Sequence, residues 1–253
     1  MAYVTLSSKA IGSTIKLKVN GSAKDFIVVH QGKPSSIYDD SCDGTWVLLK
    51  DIYVTDSFSN NGYNSYKDSN IHSYLNNTFY DLIDSDIRAA IKQVKIPYWN
   101  GKGNSGSLAT GANGLSTKVF LLSSYEVGKL KGYYIPQDGA ELDYFESDST
   151  RIAYYSGSAE RWWLRSPVTS GDSNPWVVDS DGSVESYSNG NRFVPLLYCP
   201  LLSWCLTMAR SRPTPRPRLR GASPFLRPSW AARTSRSRGQ KALMQRAISP
   251  VTR

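Results

Sequence analysis

The apolar and polar positions near the start of the chain follow the two-residue period of a half-buried strand. Residues 15–19 alternate apolar side chains with lysines, and residues 25–30 are largely apolar. Between them stands Asn20-Gly21, a dipeptide that favours a two-residue hairpin turn. The pattern predicts an antiparallel hairpin here, and the short apolar run 46–49 predicts a further, buried strand.

The spacing of apolar residues then changes to that of helices. Ser69 is a suitable N-cap, and apolar residues after it recur every three or four positions. Asp84 or Ser85 can cap a second helix in the same way. We expect the two helices to bury these residues in the main core: Ile71, Leu75, Phe79, Ile87 and Ile91.

The middle of the chain predicts two strands separated by a loop. Residues 94–97 read Val-Lys-Ile-Pro and predict a strand that the proline ends. Residues 100–117 are rich in Gly, Ser and Asn and predict a long exposed loop. Residues 118–122 predict another strand, and the serines that follow can cap a short helix through Glu126.

The segment 161–167 is aromatic, β-prone and ended by proline. Adjacent side chains of a strand point to opposite faces, so one of Trp162 and Trp163 is expected in the core. The other either packs in a second layer or stays exposed as a platform for a sugar or a peptide.

A last hairpin is predicted around Asp181-Gly182, because residues 175–178 and 183–187 on either side are β-prone. A two-residue turn would place Trp176 opposite Tyr187, a favourable cross-strand pair. Together the elements predict one α+β domain over residues 1–194, with a twisted, mainly antiparallel sheet and two or three helices.

Charge divides the chain at the same place. Residues 195–253 contain eleven Arg, one Lys and no acidic residue, which is +12, so the net charge of +9 leaves −3 for residues 1–194. A mildly acidic body argues against a nucleic-acid partner for it. The eight prolines of the tail and its lack of apolar periodicity predict that residues 195–253 form no packed structure.

Cysteine usage and hydropathy exclude further classes. Cys42 is the only cysteine in residues 1–194, so neither a disulfide framework nor a cysteine zinc site is expected there. The first residues lack the pattern of a signal peptide, and no apolar run approaches the roughly 18 residues of a membrane span. Synthesis in a reducing cytoplasm without membrane insertion is the expectation.

The residue types give little support to catalysis. His30 ends an apolar strand and His72 lies on a polar helix face, and ordinary structural positions explain both. Asp179, Asp181 and Glu185 form an incomplete calcium loop that lacks a third oxygen ligand and the closing glutamate. We expect no enzyme activity, no metal site and no cofactor.

Several segments resemble one known family. They are Ile11–Leu17, Tyr38–Trp46, Ile71–Asn76, Asp84–Ile91, Phe120–Ser123 and the hallmark Trp162–Pro167, which reads Trp-Trp-Leu-Arg-Ser-Pro. The chain is similar to an uncharacterised domain of tail-associated and surface proteins from phages and their Gram-positive gut hosts. That family has no established reaction. Its closing segment resembles C-type-lectin-like folds, which display variable loops and include targets of diversity-generating retroelements.

The resemblance implies a non-enzymatic phage or prophage tail-associated protein, made in a bacterial cytoplasm and carried on the virion. It would bind a host-surface glycan or protein through loops 168–191, whose polar composition fits retroelement diversification and an ordinary loop equally. The candidate ligand-binding residues are Asp172, Asn174, Trp176, Asp179, Asp181, Glu185, Tyr187 and Asn189. The alternatives are a structural spacer that oligomerises without a ligand of its own and, third, a cell-wall glycan hydrolase.

The chain departs from the family pattern after residue 194. Members continue with Arg-Pro-Ala and an apolar closing strand, whereas this chain becomes rich in Arg, Pro and Ser. One choice of codons for residues 203–209, read from one base earlier, gives Leu-Val-Val-Ser-Asp-Asp-Gly, a continuation typical of the family. A frameshift near residue 194 is therefore the leading explanation of the tail. A basic arm for nucleic acid and a membrane-surface segment are the rivals.

Overall fold

The structure is a computed structural model that describes residues 5–187 and the backbone of residues 198–201. Its strands are β1 (Thr14–Val19), β2 (Ser22–Gln31), β3 (Thr45–Leu49), β4 (Val94–Ile96), β5 (Tyr98–Asn100), β6 (Ser107–Ala109), β7 (Leu115–Thr117), β8 (Ala153–Tyr155), β9 (Ser158–Glu160), β10 (Trp162–Pro167), β11 (Pro175–Val178), β12 (Val184–Ser186) and β13 (Tyr198–Leu201). The α- and π-helical segments are α1 (Asn70–Tyr74), a π-helical turn (Leu75–Phe79), α2 (Tyr80–Leu82) and α3 (Ser85–Ala90). Short 3-10 turns lie at Leu6–Ser8, Asp40–Cys42, Gly111–Asn113 and Asp148–Arg151.

The described strands form small antiparallel sheets. A four-stranded sheet has the order β1-β2-β3-β13, and a three-stranded sheet has the order β10-β11-β12. Three strand pairs, β4–β7, β5–β6 and β8–β9, stand as separate two-stranded sheets. The predicted α+β fold with one twisted, C-type-lectin-like sheet is therefore wrong, and the chain is closer to an all-β protein. Most strands are only three residues long, and the helices are short as well, so neither builds the expected layers.

The first predicted hairpin is confirmed. Strands β1 and β2 pair from Thr14 opposite Ile27 to Val19 opposite Ser22, which leaves Asn20 and Gly21 as the turn. Both turn residues have positive φ, 49° and 71°. This is the conformation that Asn-Gly adopts readily, which explains why the dipeptide fixes the register of the pair.

The predicted capping and burial of the helical region are also confirmed. The Ser69 hydroxyl accepts a hydrogen bond from the His72 N–H, as expected of an N-cap. The Asp84 carboxylate accepts one from the Asp86 N–H at the start of α3. The five apolar residues predicted in the core are all buried: Ile71, Leu75, Phe79, Ile87 and Ile91.

The predicted long loop at 100–117 is wrong. Strand β6 lies within it and pairs with β5, while β7 pairs with β4. Glycine, serine and asparagine are abundant here because the segment consists of tight connections between very short strands.

The predicted strand at 118–122 is also wrong, although the segment is largely buried. Side chains, not a neighbouring strand, satisfy much of its backbone. The Asn76 amide donates to the Val119 carbonyl, the Tyr66 hydroxyl accepts from the Leu121 N–H, and the Arg165 guanidinium donates to the Leu121 carbonyl. The Leu122 carbonyl also accepts from the Arg165 N–H of β10, but this one backbone bond does not make the segment a strand.

The short helix predicted after this segment is only a turn. Ser123 and Glu126 make the reciprocal bonds of a capping box, in which the Ser123 hydroxyl accepts from the Glu126 N–H and the Glu126 carboxylate accepts from the Ser123 N–H. Gly128 then adopts a φ of 85°, which ends the turn before a helix can develop.

Both tryptophans of β10 are buried. The Trp162 indole N–H donates to the Arg151 carbonyl and that of Trp163 donates to the Asp56 carbonyl. The alternative of an exposed aromatic platform is thereby excluded for this pair. All six residues of β10 are buried, so the strand has protein on both of its faces.

The last predicted hairpin exists with a different register. Trp176 pairs with Ser186 and not with Tyr187, because a longer connection replaces the two-residue turn. In that connection Asp179 and Ser183 are joined by a backbone hydrogen bond of 2.7 Å, and the Gly182 N–H donates to the Asp179 carbonyl.

Of the tail, the structure describes only β13, whose four residues pair with β3 opposite Thr45–Leu48. These residues depart from the expectation that the range 195–253 stays unpacked. The rest of that range lies outside the described residues, and the boundary at 194 stays a prediction. Within the described part of the chain, no helix combines the length and apolar character needed to cross a bilayer.

Candidate functional site

A single buried side chain, that of Asn64, joins three connections of the fold. They are the segment before α1 (residues 59–69), the β5–β6 connection (residues 101–106) and the β10–β11 connection (residues 168–174). The Asn64 amide nitrogen lies within 3.0–3.3 Å of the carbonyl oxygens of Val168, Gly171 and Asn174, and its oxygen accepts from the Gly103 N–H. The side chain is fully buried, so both ends of its amide are satisfied inside the protein.

The close approach of these connections requires glycine at position 103. A Cβ atom there would come within 2.1 Å of the carbonyl oxygens of both Val168 and Gly171. Further bonds cross the same junction: the Asn64 N–H donates to the Asp172 carbonyl, and the Asn104 N–H points at the Asp172 carboxylate at 3.4 Å. The connections therefore form a fixed frame and not three independent loops.

The frame surrounds an open depression of about 400 Å³, which we call the loop groove. Its polar and aromatic lining includes Asn61, Tyr63, Asp68, Lys102, Asn104 and Asp172, together with Ser65 and Ser105. Tyr63 is 41% exposed, and the Lys102 ammonium lies 3.4 Å from the centre of its ring, a cation–π contact.

The loop groove combines the groups that recognise small polar ligands. Carboxylates, amides and an ammonium supply hydrogen bonds, while the tyrosine ring supplies an apolar surface. The β5–β6 connection is itself braced, because the Trp99 indole N–H lies 3.1 Å from the Lys102 carbonyl and 3.2 Å from that of Gly103. The Trp99 side chain thus holds the backbone at Lys102 in place.

A second polar cluster lies wholly inside the protein and is centred on Arg165, in the hallmark segment. The guanidinium makes a two-point ion pair with Glu126, at 2.5 Å and 2.7 Å, and donates to the carbonyls of Pro97, Leu121 and Asp138. Tyr38 adds a bond of 2.6 Å from its hydroxyl to the Glu126 carboxylate. Arg165 and Glu126 have no exposed side-chain surface. This cluster is called the Arg165 network below.

Ser166 extends the Arg165 network to a second carboxyl group, that of Asp138. Its hydroxyl donates to the Asp138 carboxylate, at 2.8 Å and 2.9 Å from the two oxygens, and accepts from the Ser124 N–H. Burial raises the pKa of Asp138 to about 7, partly offset by the attraction of Arg165 and the bond from Ser166. Without exposed surface, the network acts on the fold and cannot contact a ligand directly.

The structure separates the predicted ligand-binding residues into two places. Asp172 lines the loop groove, and Asn174 follows it on the same connection, where its carbonyl accepts from Asn64. The others that the structure describes lie on β11, β12 and the hairpin between them or just after β12: Trp176, Asp179, Asp181, Glu185 and Tyr187. Asn189 lies outside the described residues.

Two of the hairpin residues are already engaged within the protein. The Asp179 carboxylate accepts from the Arg161 guanidinium at 2.7 Å, and this bond lowers the pKa of Asp179. The same guanidinium lies 4.6 Å from the centre of the Tyr187 ring. Trp176 is half-buried against the core, while Asp181 and Glu185 are exposed. The hairpin therefore offers fewer unengaged polar groups than its sequence suggests.

Sequence reasoning missed Asn64, Tyr63 and Lys102, because their partners lie far away in the sequence. Asn64 bonds carbonyls more than a hundred residues further along the chain. A signal was present for Arg165, since a charged residue inside an aromatic, proline-ended strand needs a buried partner. The sequence alone does not identify that partner as Glu126 among the acidic residues of the chain.

The histidines do not combine into a site. Within residues 5–187 and 198–201, no group of three or more His, Cys, Asp or Glu side chains is placed to hold a metal ion. The Nδ1 atom of His30 lies 2.8 Å from the Asp143 carboxylate, and the His72 ring packs against the ring of Tyr66. Burial lowers the pKa of His72, which favours its neutral form.

A comparison with protein-family models matches residues 43–220 to a domain of unknown function, DUF6273. The chain belongs to the DUF6273 family. The matched range contains the whole loop groove and all of the Arg165 network except Tyr38, which precedes the range. The range also extends beyond residue 194, where the sequence analysis ended the domain, and it includes β13. Neither the curated proteins nor the solved structures gave a match.

Proposed function

We propose that this DUF6273 protein is a non-enzymatic binding component of a phage or prophage tail, and that its loop groove holds a sugar unit of the host cell surface. The observation that carries the proposal is the exposed ring of Tyr63 among hydrogen-bonding side chains, on connections that the buried Asn64 holds together. A rigid frame limits the ordering that binding requires and so favours affinity.

The chemistry of the loop groove suits a carbohydrate better than an apolar molecule. Sugars present hydroxyl groups on their edges and apolar C–H faces, and the groove supplies the complement of each. Asp172 and Asn104 provide acceptors and donors, and Tyr63 provides the ring. Asn61 can add its amide nitrogen as a donor, since its oxygen already accepts from the Ser59 hydroxyl and the Tyr63 N–H. Its open shape fits a terminal or internal sugar that keeps one side in solvent.

A glycan array with the full chain tests the proposal. The tail carries +12 and would bind acidic glycans unspecifically, so the array is run at about 1 M salt, where the Debye length is about 3 Å. We expect a defined set of glycans to bind, and Tyr63→Ala to weaken that binding by about tenfold, or on the order of 1.4 kcal/mol. Tyr154→Ala removes another exposed tyrosine, on β8, and is the matched control.

Three outcomes would contradict the proposal. Equal loss of binding in both tyrosine variants would move the site away from the loop groove. Absence of any bound glycan would favour the structural spacer instead. Cleavage of a bound glycan would make the protein a hydrolase, for which Asp68 and Asp172 are the two carboxylates of the groove.

A further inference from the structure

An exposed aromatic and basic segment stands apart from the loop groove. It comprises residues 129–134, Lys-Leu-Lys-Gly-Tyr-Tyr, which we call the aromatic loop. Tyr133 is 88% exposed and Tyr134 57% exposed, with their ring centres 6.2 Å apart. They are the two most exposed large apolar side chains among the described residues.

The backbone of the aromatic loop is held in an uncommon conformation. Tyr134 has a φ of 64°, a region that bulky residues rarely adopt. Its carbonyl accepts a hydrogen bond of 2.9 Å from the Thr169 N–H, so the strained residue is tied to the β10–β11 connection. The loop therefore holds its rings outward on a defined support.

The Arg165 network fixes both ends of this segment. Glu126 precedes the aromatic loop by three residues and Asp138 follows it by four, and both residues bond Arg165. Arg165 itself lies three residues before the β10–β11 connection. These buried hydrogen bonds thus anchor the segment that carries the aromatic loop and the strand that leads into the β10–β11 connection. The bond from the Thr169 N–H to the Tyr134 carbonyl joins the two.

The loop also carries charge of one sign. Lys129 and Lys131 form no ion pair among the described residues, and residues 129–134 contain no acidic side chain. Two ammonium groups beside two exposed tyrosine rings are complementary to a polymer whose ring-shaped units carry anionic groups. Residues 1–194 are mildly acidic, so this basic patch is a local feature.

We propose that the aromatic loop binds a polysaccharide chain bearing carboxylate or phosphate groups. The tyrosine rings contact the sugar faces, and Lys129 and Lys131 pair with the anionic groups. Thr169 and Asp172 are three residues apart, so their Cα atoms lie within about 11 Å. A long chain held at the aromatic loop therefore runs close to the loop groove. The inference does not require the groove to bind, and each surface is tested by its own variants.

Lysine footprinting on the full chain gives a readout at the loop itself. Each lysine is acetylated briefly with and without polymer, and its modification is quantified by mass spectrometry. The probes are alginate for carboxylates, phosphorylated dextran for phosphates, and plain dextran as the neutral control. The tail contains only Lys241, so polymer bound by its arginines does not obscure the signal at Lys129 and Lys131. Lys18 and Lys92, both exposed, report unspecific protection.

We expect alginate or phosphorylated dextran to reduce acetylation of Lys129 and Lys131 at least threefold, with Lys18 and Lys92 unchanged. The variant Tyr133→Ala combined with Tyr134→Gly should abolish that protection, because glycine accepts the positive φ at position 134. Protection should also fall as salt rises.

Several results would overturn the inference. Equal protection by plain dextran would remove the role of the anionic groups. Protection by phosphatidylglycerol vesicles but by neither charged polymer would assign the loop to a membrane surface. No selective protection of Lys129 and Lys131 by any probe would leave the loop without a polysaccharide role, while the glycan-array result for the Tyr63 variant would stand unaffected.

Discussion

Arg165 and Glu126 meet in the interior of the protein through two parallel hydrogen bonds, 2.5 Å and 2.7 Å long, with no side-chain surface exposed on either residue. Arg165 belongs to β10, while Glu126 stands on the turn that begins at Ser123. The pair therefore joins the strand that leads into the β10–β11 connection to the turn that leads into the aromatic loop.

Breaking this pair should be strongly destabilising. Arg165→Met leaves the Glu126 carboxylate buried without its partner, and such losses are worth about 3–5 kcal/mol. Arg88→Met is the control, because the Arg88–Asp81 pair is partly exposed and worth about 1 kcal/mol or less. Chemical denaturation measures both, and a loss below about 1 kcal/mol for Arg165→Met would show that the pair does not stabilise the fold.

Asp138 should make stability depend on pH. Its pKa of about 7 in the folded protein lies above the usual value of 3.8, so the folded state holds a proton that the unfolded state has lost. The free energy of unfolding should therefore fall as pH rises from about 4 to about 7 and then level off. Asp138→Asn should remove this pH dependence, because an amide does not titrate. If the free energy of unfolding changes with pH equally in the variant and the wild type, the Asp138 carboxyl is ionised throughout this range and the prediction is wrong.

Leu75 tests the packing of the helical segment. It is fully buried, and Leu75→Ala should lower the free energy of unfolding by about 2–5 kcal/mol, as core truncations do. Leu108→Ala, on the more exposed strand β6, should change it far less. A loss below about 0.5 kcal/mol at position 75 would mean that the residue does not face the core.

Asn64 tests the frame of the loop groove. Asn64→Asp keeps the shape of the side chain but replaces the amide donor that three carbonyls share. Each buried polar group left without a partner lowers the free energy of unfolding by about 1–3 kcal/mol. We expect a loss of at least about 3 kcal/mol and faster amide exchange in residues 101–106 and 168–174. Asn77→Asp is the control, because Asn77 is exposed and bonds only its own helical segment. Equal effects of the two changes would refute the role of Asn64.

The elements that the sequence predicts correctly are those set by neighbours along the chain. Asn20-Gly21 determines its hairpin through its own backbone preference, and Ser69 caps the helix that it precedes. The apolar spacing after Ser69 likewise identifies which face is buried.

The features that the sequence could not provide depend on distant partners. Asn64 is one of several asparagines in a polar stretch, and only the fold brings it against Gly103 and Val168. The residues 118–122 look like a strand, yet Asn76, Tyr66 and Arg165 replace the neighbouring strand as hydrogen-bond partners. The predicted ligand-binding range, residues 168–191, contains one residue of the loop groove, Asp172, while its hairpin residues lie elsewhere on the chain.

The most direct test of the account compares the loop groove with the hairpin in one binding assay. Purified cell walls from a panel of Gram-positive bacteria are incubated with the full chain at about 1 M salt, which suppresses binding by the basic tail. The variants are Tyr63→Ala with Asp172→Ala in the groove and Asp181→Ala with Glu185→Ala on the hairpin. Circular dichroism and thermal unfolding confirm that both variants fold. We expect the groove variant to lose at least about tenfold in affinity, on the order of 1.4 kcal/mol, and the hairpin variant to bind like the wild type; the opposite pattern would contradict the account.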